Sequence, residues 1–356
     1  MIKIAFTGDI MLARRVGEKI ESKLDFKILD DDLEQFLDEH DFVLGNLECP
    51  VSVHADKLKP TGFKANPKAL QQLSFFTLFS VANNHIFDCG KQGANETRLF
   101  VLENNQLFTG LVNEVDKNIF FATTIKSKTF SFLSCAVEEC ILDPDINEYP
   151  KVLEAENPYI LTQINNAKTI SNYTIVLVHG GDEMIPYPKP KFRKLCESFI
   201  DSGADVVITH HPHVLGGVHN YKNKYIFYSL GDFVFDGEST LRRRGLILSI
   251  SFNGNNISFQ VLPTQVKKDL SVGLPNNKIK SSIVRKWDKV SKILQLENNY
   301  NSKYKRRYIL SFFLFQTDRL LFILKNKGVI YFIRFMLRKI NLLPFYFRKI
   351  MLKNPV

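Results

Sequence analysis

At 356 residues and 45% hydrophobic content, the chain has core material for one large domain or two and needs no covalent staples. Its five cysteines, Cys49, Cys89, Cys135, Cys140 and Cys196, are odd in number and without CxxC or regular spacing, which suggests neither a disulfide framework nor a cysteine zinc site and points to a reducing compartment. The net charge of +10 is uneven, because residues 267–353 hold 21 Lys and Arg against four acids and leave the remainder net acidic. Two units are therefore expected, residues 1–265 and a basic, aromatic helical extension over 266–356.

The first residues, Met1-Ile2-Lys3-Ile4-Ala5-Phe6, turn polar at Thr7-Gly8-Asp9. That apolar run is too short for a signal peptide and reads as a core strand with a carboxylate at its tip. A helix is expected over 11–20 and another over 32–39, followed by a strand at 42–46 that ends in Asn46-Leu47-Glu48. A helix near 67–73 leads to a strand at 75–81 ending in Asn83-Asn84-His85, with Asp88 close behind. Residues 69–87 are uncharged but contain paired Gln, paired Asn and a His, a poor membrane span. A cytoplasmic protein without signal peptide or transmembrane span is the expectation.

Further on, a helix is expected at 91–104 and strands at 106–109, 119–124 and 129–136. An acidic, turn-rich loop at 141–158 precedes a helix at 159–168 and a strand at 173–178 that ends in His179-Gly180-Gly181-Asp182-Glu183. A helix at 189–202 connects to the apolar run Asp205-Val206-Val207-Ile208. There Thr209-His210-His211-Pro212-His213 gathers three of the eight histidines within four positions. Proline between two imidazoles restricts the backbone and holds both rings near one point. A strand at 225–228 ends in Ser229-Leu230-Gly231-Asp232-Phe233, and strands at 246–252 and 257–261 are expected at a sheet edge.

Alternating strands and helices predict an α/β fold, whose ligands sit at the carboxyl ends of the strands. Asp9, Glu48, Asn84, His85, His179, His211 and His213 all fall there. Individually each has a plain alternative: Asp9 as a helix cap, Asn83 and Asn84 as turn residues, His179 as a core histidine, Glu183 as a solvated acid. Their recurrence at five strand ends carries the inference of a metal site. The oxygen and nitrogen donors suit Mn, Fe or Zn, and so many of them suit two divalent ions with Glu48 between. His85, backed by Asp88, is the candidate general acid.

In order, Gly8-Asp9-Ile10-Met11-Leu12, Gly45-Asn46-Leu47-Glu48, Ala82-Asn83-Asn84-His85, His179-Gly180-Gly181-Asp182-Glu183, His210-His211-Pro212-His213-Val214 and Ser229-Leu230-Gly231-Asp232-Phe233-Val234-Phe235-Asp236 resemble the motifs of the CapA family, the poly-gamma-glutamate capsule synthesis proteins. That family is similar to the calcineurin-like metallophosphatases. The resemblance covers about residues 2–265. It implies a four-layer α/β/β/α metallophosphatase-like sandwich. It also implies a metal-dependent, phosphoesterase-like hydrolase in capsule or cell-envelope polymer synthesis, or else a non-catalytic accessory or polymer-binding subunit of a capsule assembly complex. By the superfamily pattern Asp9 and His213 hold one metal, Asn84, His179 and His211 the other, and Glu48 both. Asn46, Asn83, Glu183, His210 and Asp232 are the substrate-binding candidates. An anionic polymer or phosphoester substrate and capsule synthesis proteins are the implied partners. The chain departs from the pattern where Met11 replaces a histidine and where Gly180, Thr209 and Asp232 stand.

The extension is read as helical from residue 281. Leu310, Phe313, Leu314, Leu321 and Leu324 share one face; Ile333, Met336, Leu337 and Ile340 share a face on another helix; Gly328 and Pro344 are breaks. Its longest charge-free stretch, 308–317, is too short to span a bilayer. These helices either pack on the first domain or lie on a membrane surface through residues 281–353. Nucleic acid is not expected as a partner, since no recognised motif accompanies the charge.

Overall fold

The computed structural model describes residues 1–340 apart from 24, 115–118, 144, 146, 255 and 297–299, with backbone alone at 333–340. The side chains of Ile333, Met336, Leu337 and Ile340, and Pro344 entirely, lie outside the described residues.

The first half of the chain forms β1 (Ile2–Ile10), α1 (Arg14–Ser22), α2 (Asp31–Asp38), β2 (Phe42–Leu47), a 3₁₀ helix (Pro67–Leu73), β3 (Leu78–Ser80), α3 (Gly90–Glu103), β4 (Leu107–Thr109), β5 (Phe120–Ile125) and β6 (Lys128–Ala136). A 3₁₀ turn (Glu138–Cys140) precedes α4 (Tyr159–Ile170), β7 (Tyr173–His179), α5 (Pro190–Asp201), β8 (Val206–His210), β9 (Val218–Tyr221), β10 (Lys224–Tyr228) and β11 (Asp232–Val234). Then follow β12 (Arg244–Asn253), β13 (Asn256–Val266), β14 (Val272–Gly273), α6 (Asn277–Leu294) and α7 (Tyr300–Ile340).

Strand periodicity explains the layering. In β1, Ile4 and Phe6 point into one apolar cluster while Ala5 joins another, because successive side chains leave opposite faces, and Ile10 joins the second cluster past the irregularity that follows Phe6. The first cluster lies between two sheets, where Phe42 of β2 stacks on Phe132 of β6 at 5.2 Å. The second buries the outer faces under helices, with Val43 and Phe79 on one sheet and Val176 and Val207 on the other. The result is a four-layer α/β/β/α sandwich. One sheet runs β14-β13-β12-β1-β2-β3-β4, with β11 also paired to β1; the other runs β5-β6-β7-β8-β10-β9. Because β1, β2 and β3 are parallel in one sheet and β6, β7, β8 and β10 parallel in the other, their carboxyl ends gather on one rim.

Two expectations are corrected. β12 is an interior strand between β13 and β1, not an edge, and it buries Leu246, Leu248, Ile250 and Phe252 between the sheets. The helix expected from residue 11 begins at Arg14, because Met11 is still drawn into the sheet by its amide bond to the Val234 carbonyl (2.8 Å). Of the two arrangements left open for the extension, the face carrying Leu310, Phe313, Leu314, Leu321 and Leu324 does not pack on the sandwich but is turned outward, with 40–62% exposure. Another face of α7 docks on the sandwich: Tyr300, Tyr304, Phe315 and Ile323 are buried, and the Tyr300 hydroxyl donates to the Pro188 carbonyl at 2.6 Å. The sandwich continues past residue 265, since β14 extends the first sheet and Ile283 and Trp287 of α6 enter the cluster between the sheets. Gly328 (φ 81°, ψ 169°) interrupts α7, as its lack of a side chain permits.

Candidate metal centre

Each strand on the rim delivers its polar tip by a specific contact. Asp9 is held by its amide bond to the Gly231 carbonyl (3.0 Å), and Glu48 by its amide bond to the Ile10 carbonyl (2.7 Å). Gly8 is required where β1 meets the turn at Gly231: a Cβ there would lie 1.9 Å from the Gly231 carbonyl oxygen. After β8 the backbone turns sharply, with His211 at φ 97° and His213 at φ 57°, left-handed values that non-glycine residues rarely adopt and that cluster at functional sites. Pro212 between them is tied by its carbonyl to the Met184 amide at 2.8 Å.

The side chains converge. His179 Nε2 lies 2.8 Å from Asn84 Oδ1 and 3.1 Å from His211 Nδ1. His213 Nδ1 lies 3.2 Å from Asp9 Oδ2, and its Nε2 faces Glu48 Oε1 at 3.4 Å. Asp9, Glu48, His179, His211 and His213 are all buried, although they span some two hundred residues of chain. Their donor atoms form overlapping groups within 4.8 Å: Asp9 with Glu48 and His179, Glu48 with His211 and His213, and Asp9 with His213 and Asp232. His85 sits at the margin, its Nδ1 donating to Asp88 Oδ2 (2.7 Å) and its Nε2 3.9 Å from Glu48 Oε1.

The family described as bacterial capsule synthesis protein PGA_cap matches residues 3–237, the span that contains all of these side chains. The chain belongs to that family. It is 27% identical over 336 residues to the capsule biosynthesis protein CapA of Bacillus anthracis, covering 86% of this chain and 80% of that one. It is 28% identical over 304 residues to the PGA biosynthesis protein CapA of Bacillus subtilis strain 168, covering 82% and 79%. A solved 5'-nucleotidase from Candida albicans SC5314 aligns with TM-score 0.40 and 10% identity over 81% of this chain and 58% of that one, a likeness of fold alone.

In this member of the PGA_cap family the fit of a metal can be tested on one atom. Among the described residues Glu48 Oε1 accepts no hydrogen bond, although its side chain has no solvent exposure. A buried carboxylate oxygen left unpaired costs more than most folds tolerate, and a cation shared with the surrounding imidazoles satisfies it. Electrostatics point the same way. Burial pushes the Glu48 carboxyl well above its ordinary range, with His213 opposing and Asp9 and Asp232 adding to it. Burial also works against ionisation of Asp9, but the hydrogen bond and charge of His213, with His210 and His179, outweigh it and hold that carboxyl far down. Burial lowers His179, and it lowers His211 to about 4 with His213 adding, so both imidazoles are neutral donors near neutral pH.

Four of the five residues expected to touch substrate are placed behind the site instead, because their polar atoms are used up there. Asn46 donates to Asp9 Oδ1 (2.9 Å) and reaches His179 Nδ1 (3.4 Å); Asn83 donates to the Leu47 carbonyl (2.8 Å). His210 Nε2 meets the Thr7 carbonyl at 3.2 Å. Asp232 accepts from His213 Nδ1 (2.8 Å) and from Arg242 Nε (2.9 Å), the carboxylate–histidine arrangement that fixes which ring nitrogen faces a metal. Only Glu183 of the five lines the cavity above the site, which holds about 1220 Å³.

That cavity reveals residues the sequence reading did not single out. Arg14 and Arg242 stand in its wall, Arg14 paired with Asp236 and over the Phe63 ring at 4.9 Å. Arg14-Arg15 follows the first motif after Ala13, a basic pair five residues from a metal-type carboxylate, and that proximity was the available signal. The other side of the cavity is α7, through Tyr308, Phe312, Phe315 and Arg319. The Tyr304 hydroxyl anchors that helix to Asp182 Oδ2 (3.2 Å), and Asp318 accepts from the Leu241 amide (3.1 Å).

Proposed function

We propose that the chain is a metal-dependent hydrolase of phosphoester or related bonds that serves capsule or cell-envelope polymer synthesis. The observation that carries the chemistry is Glu48 Oε1, which is buried, accepts no hydrogen bond and faces His213 Nε2 at 3.4 Å and His85 Nε2 at 3.9 Å. The family and the two CapA relatives, named for capsule and PGA biosynthesis, support the physiological part. Asn84, His179 and His211 would hold one divalent ion, Asp9 and His213 another, and Glu48 both, with Mn, Fe or Zn as the candidates. Ions so held supply charge neutralisation for a phosphoryl group and lower the pKa of water. The protein's own groups do the rest. Asp232 and Asn46 position His213 and Asp9. Arg14 and Arg242 bind the anionic portion of the substrate, and the cavity has room for a polymer segment. His85, its Nδ1 hydrogen fixed on Asp88, holds a proton at Nε2 for the leaving oxygen.

The outward face of α7 adds a location. Exposed Leu310, Phe313, Leu314 and Leu321 lie among exposed Lys303, Lys305, Arg306 and Lys325, a pattern complementary to an anionic membrane surface. Among the described residues no helix is long and apolar enough to cross a membrane.

A second reading, a non-catalytic accessory subunit, is favoured by Met11, which is buried and whose sulfur accepts the Ala13 amide at 3.2 Å where the first motif ordinarily has a histidine. Metal analysis of the purified full chain and assay on an aryl phosphate separate the two. His85→Ala should lower turnover by about 10²–10⁴-fold with bound metal unchanged, whereas His211→Ala should lose metal as well. Bound metal with no turnover, indifferent to both substitutions, selects the accessory reading.

A further inference from the structure

The donors taken from the sequence contain no sulfur, yet the fold brings a thiol to the site. The 3₁₀ turn Glu138–Cys140 follows β6 directly and is pinned to β7 by the Val137 amide, which donates to the His179 carbonyl at 3.0 Å. A second bond, from the Cys140 amide to the Val137 carbonyl (2.8 Å), closes the turn. It sets Cys140 Sγ, a ring nitrogen of His179 and one of His211 all within 4.8 Å of one another, and all three residues are buried. Cys140 also faces the cavity beside Asn84 and His211. The remaining four cysteines are buried and free elsewhere in the core; Cys135, five residues earlier, points its thiol at the Leu177 carbonyl (3.8 Å).

We propose that Cys140 is a ligand of the ion position formed by Asn84, His179 and His211, and that its thiolate makes this position select a thiophilic ion such as zinc over manganese or magnesium. The inference rests on the metal reading above. Two imidazoles, one thiolate and one oxygen donor are a complete tetrahedral set for zinc, and softness of the sulfur disfavours the harder ions. On binding, the S–H bond is replaced by a sulfur–metal bond and the proton goes to solvent, with no change of oxidation state. Glu48, shared between the two positions, leaves the other with Asp9 and His213 as an oxygen-rich set.

The test uses the full chain stripped with chelator and titrated with cobalt(II), followed by absorption. Wild type and Cys135→Ala should show a near-ultraviolet thiolate-to-cobalt charge-transfer band, and Cys140→Ser and Cys140→Ala should lack it. Competition between zinc and manganese should show the zinc preference falling at least about tenfold in both Cys140 variants, since even groups behind a ligand typically contribute 10–100-fold. Cobalt bound by wild type without the band overturns the inference whether or not the variants fold, and leaves the metal reading standing. Failure of wild type to bind cobalt or zinc at all overturns the metal reading itself.

Discussion

Asp232 is the residue whose removal tests most directly how the site is held. It has no solvent exposure, and each carboxylate oxygen has one partner, His213 Nδ1 at 2.8 Å and Arg242 Nε at 2.9 Å. Asp232→Ala leaves the Arg242 guanidinium, 16% exposed, without its counter-charge. Breaking a buried pair from one side costs about 3–5 kcal/mol. At about 2 °C per kcal/mol for a large domain, the melting temperature should fall by roughly 6–10 °C. The same change frees the His213 ring to turn toward Asp9 Oδ2, 3.2 Å from the same nitrogen. Metal affinity should therefore fall about 10–100-fold. Asp232→Asn keeps an oxygen acceptor for His213 and loses only the charge. Its affinity loss should stay below tenfold, while the Arg242 side still costs about 1–3 kcal/mol. Thermal unfolding in chelator separates the structural part, and calorimetric titration with zinc measures the other. If Asp232→Ala binds zinc as wild type does, Asp232 does not position His213. If it melts at the wild-type temperature in chelator, the Arg242 pair is not a structural element either.

Two other outcomes follow from the fold. The full chain should co-sediment with vesicles containing anionic lipid at low salt and be released at high salt, each of the four exposed basic residues near the α7 face contributing on the order of 1 kcal/mol. A Phe313→Glu, Leu321→Glu double variant, altering exposed side chains only, should stay in the supernatant; wild type in the supernatant at low salt removes the membrane assignment. His219 is buried with Arg193 Nη2 3.0 Å from its Nε2, and burial, then that charge, lower its pKa to about 4. An unfolded histidine titrates near 6.5, so between roughly pH 6.5 and 4 the unfolded chain binds a proton that the folded chain does not. Stability should therefore fall as pH falls through that window, by up to about 3 kcal/mol from this site. Urea unfolding of wild type and His219→Asn at pH 7 and pH 4.5 checks it: equal losses in the two proteins would assign the drop elsewhere.

Much of the rim was legible because buried parallel strands read as unbroken apolar runs, and here each run stops at a polar cluster. β1, β2, β7 and β8 are of this kind, and their tips are Asp9, Asn46, His179 and His210. What was not legible depends on pairing between distant segments. β12 was read as an edge because nothing within residues 244–253 shows that β1, more than two hundred residues earlier, lies beside it. β11 has only three residues, too few for a periodic signal, yet it sets Asp232 opposite Asp9. Asp232 consequently looked like a substrate contact, since burial of a carboxylate is not visible when its partner Arg242 arrives through a turn. Which face of α7 turns outward was left open for a related reason. Both faces of that helix are aromatic and apolar, and the choice was made by polar anchors, Tyr300 on Pro188 and Tyr304 on Asp182.

The departures from the family's motif pattern make the two ends of the site unlike. Met11 stands where the first motif ordinarily offers a histidine, and its sulfur is committed to the Ala13 amide. That end of the site is left with Asp9, His213 and Glu48, backed by a second carboxylate, Asp232, in place of the amide that the last motif ordinarily has. The opposite end has Asn84, two neutral imidazoles and the Cys140 thiol. In the proposed reading one position is therefore rich in carboxylate oxygen and the other in nitrogen and sulfur, and Glu48 is the only donor common to both. Ions of different hardness would sort between them on that basis alone. In that reading a mixed-metal protein is the expected native state, and the Cys140 thiol adds a donor to the second position alone, leaving the first with Asp9, His213 and the shared Glu48.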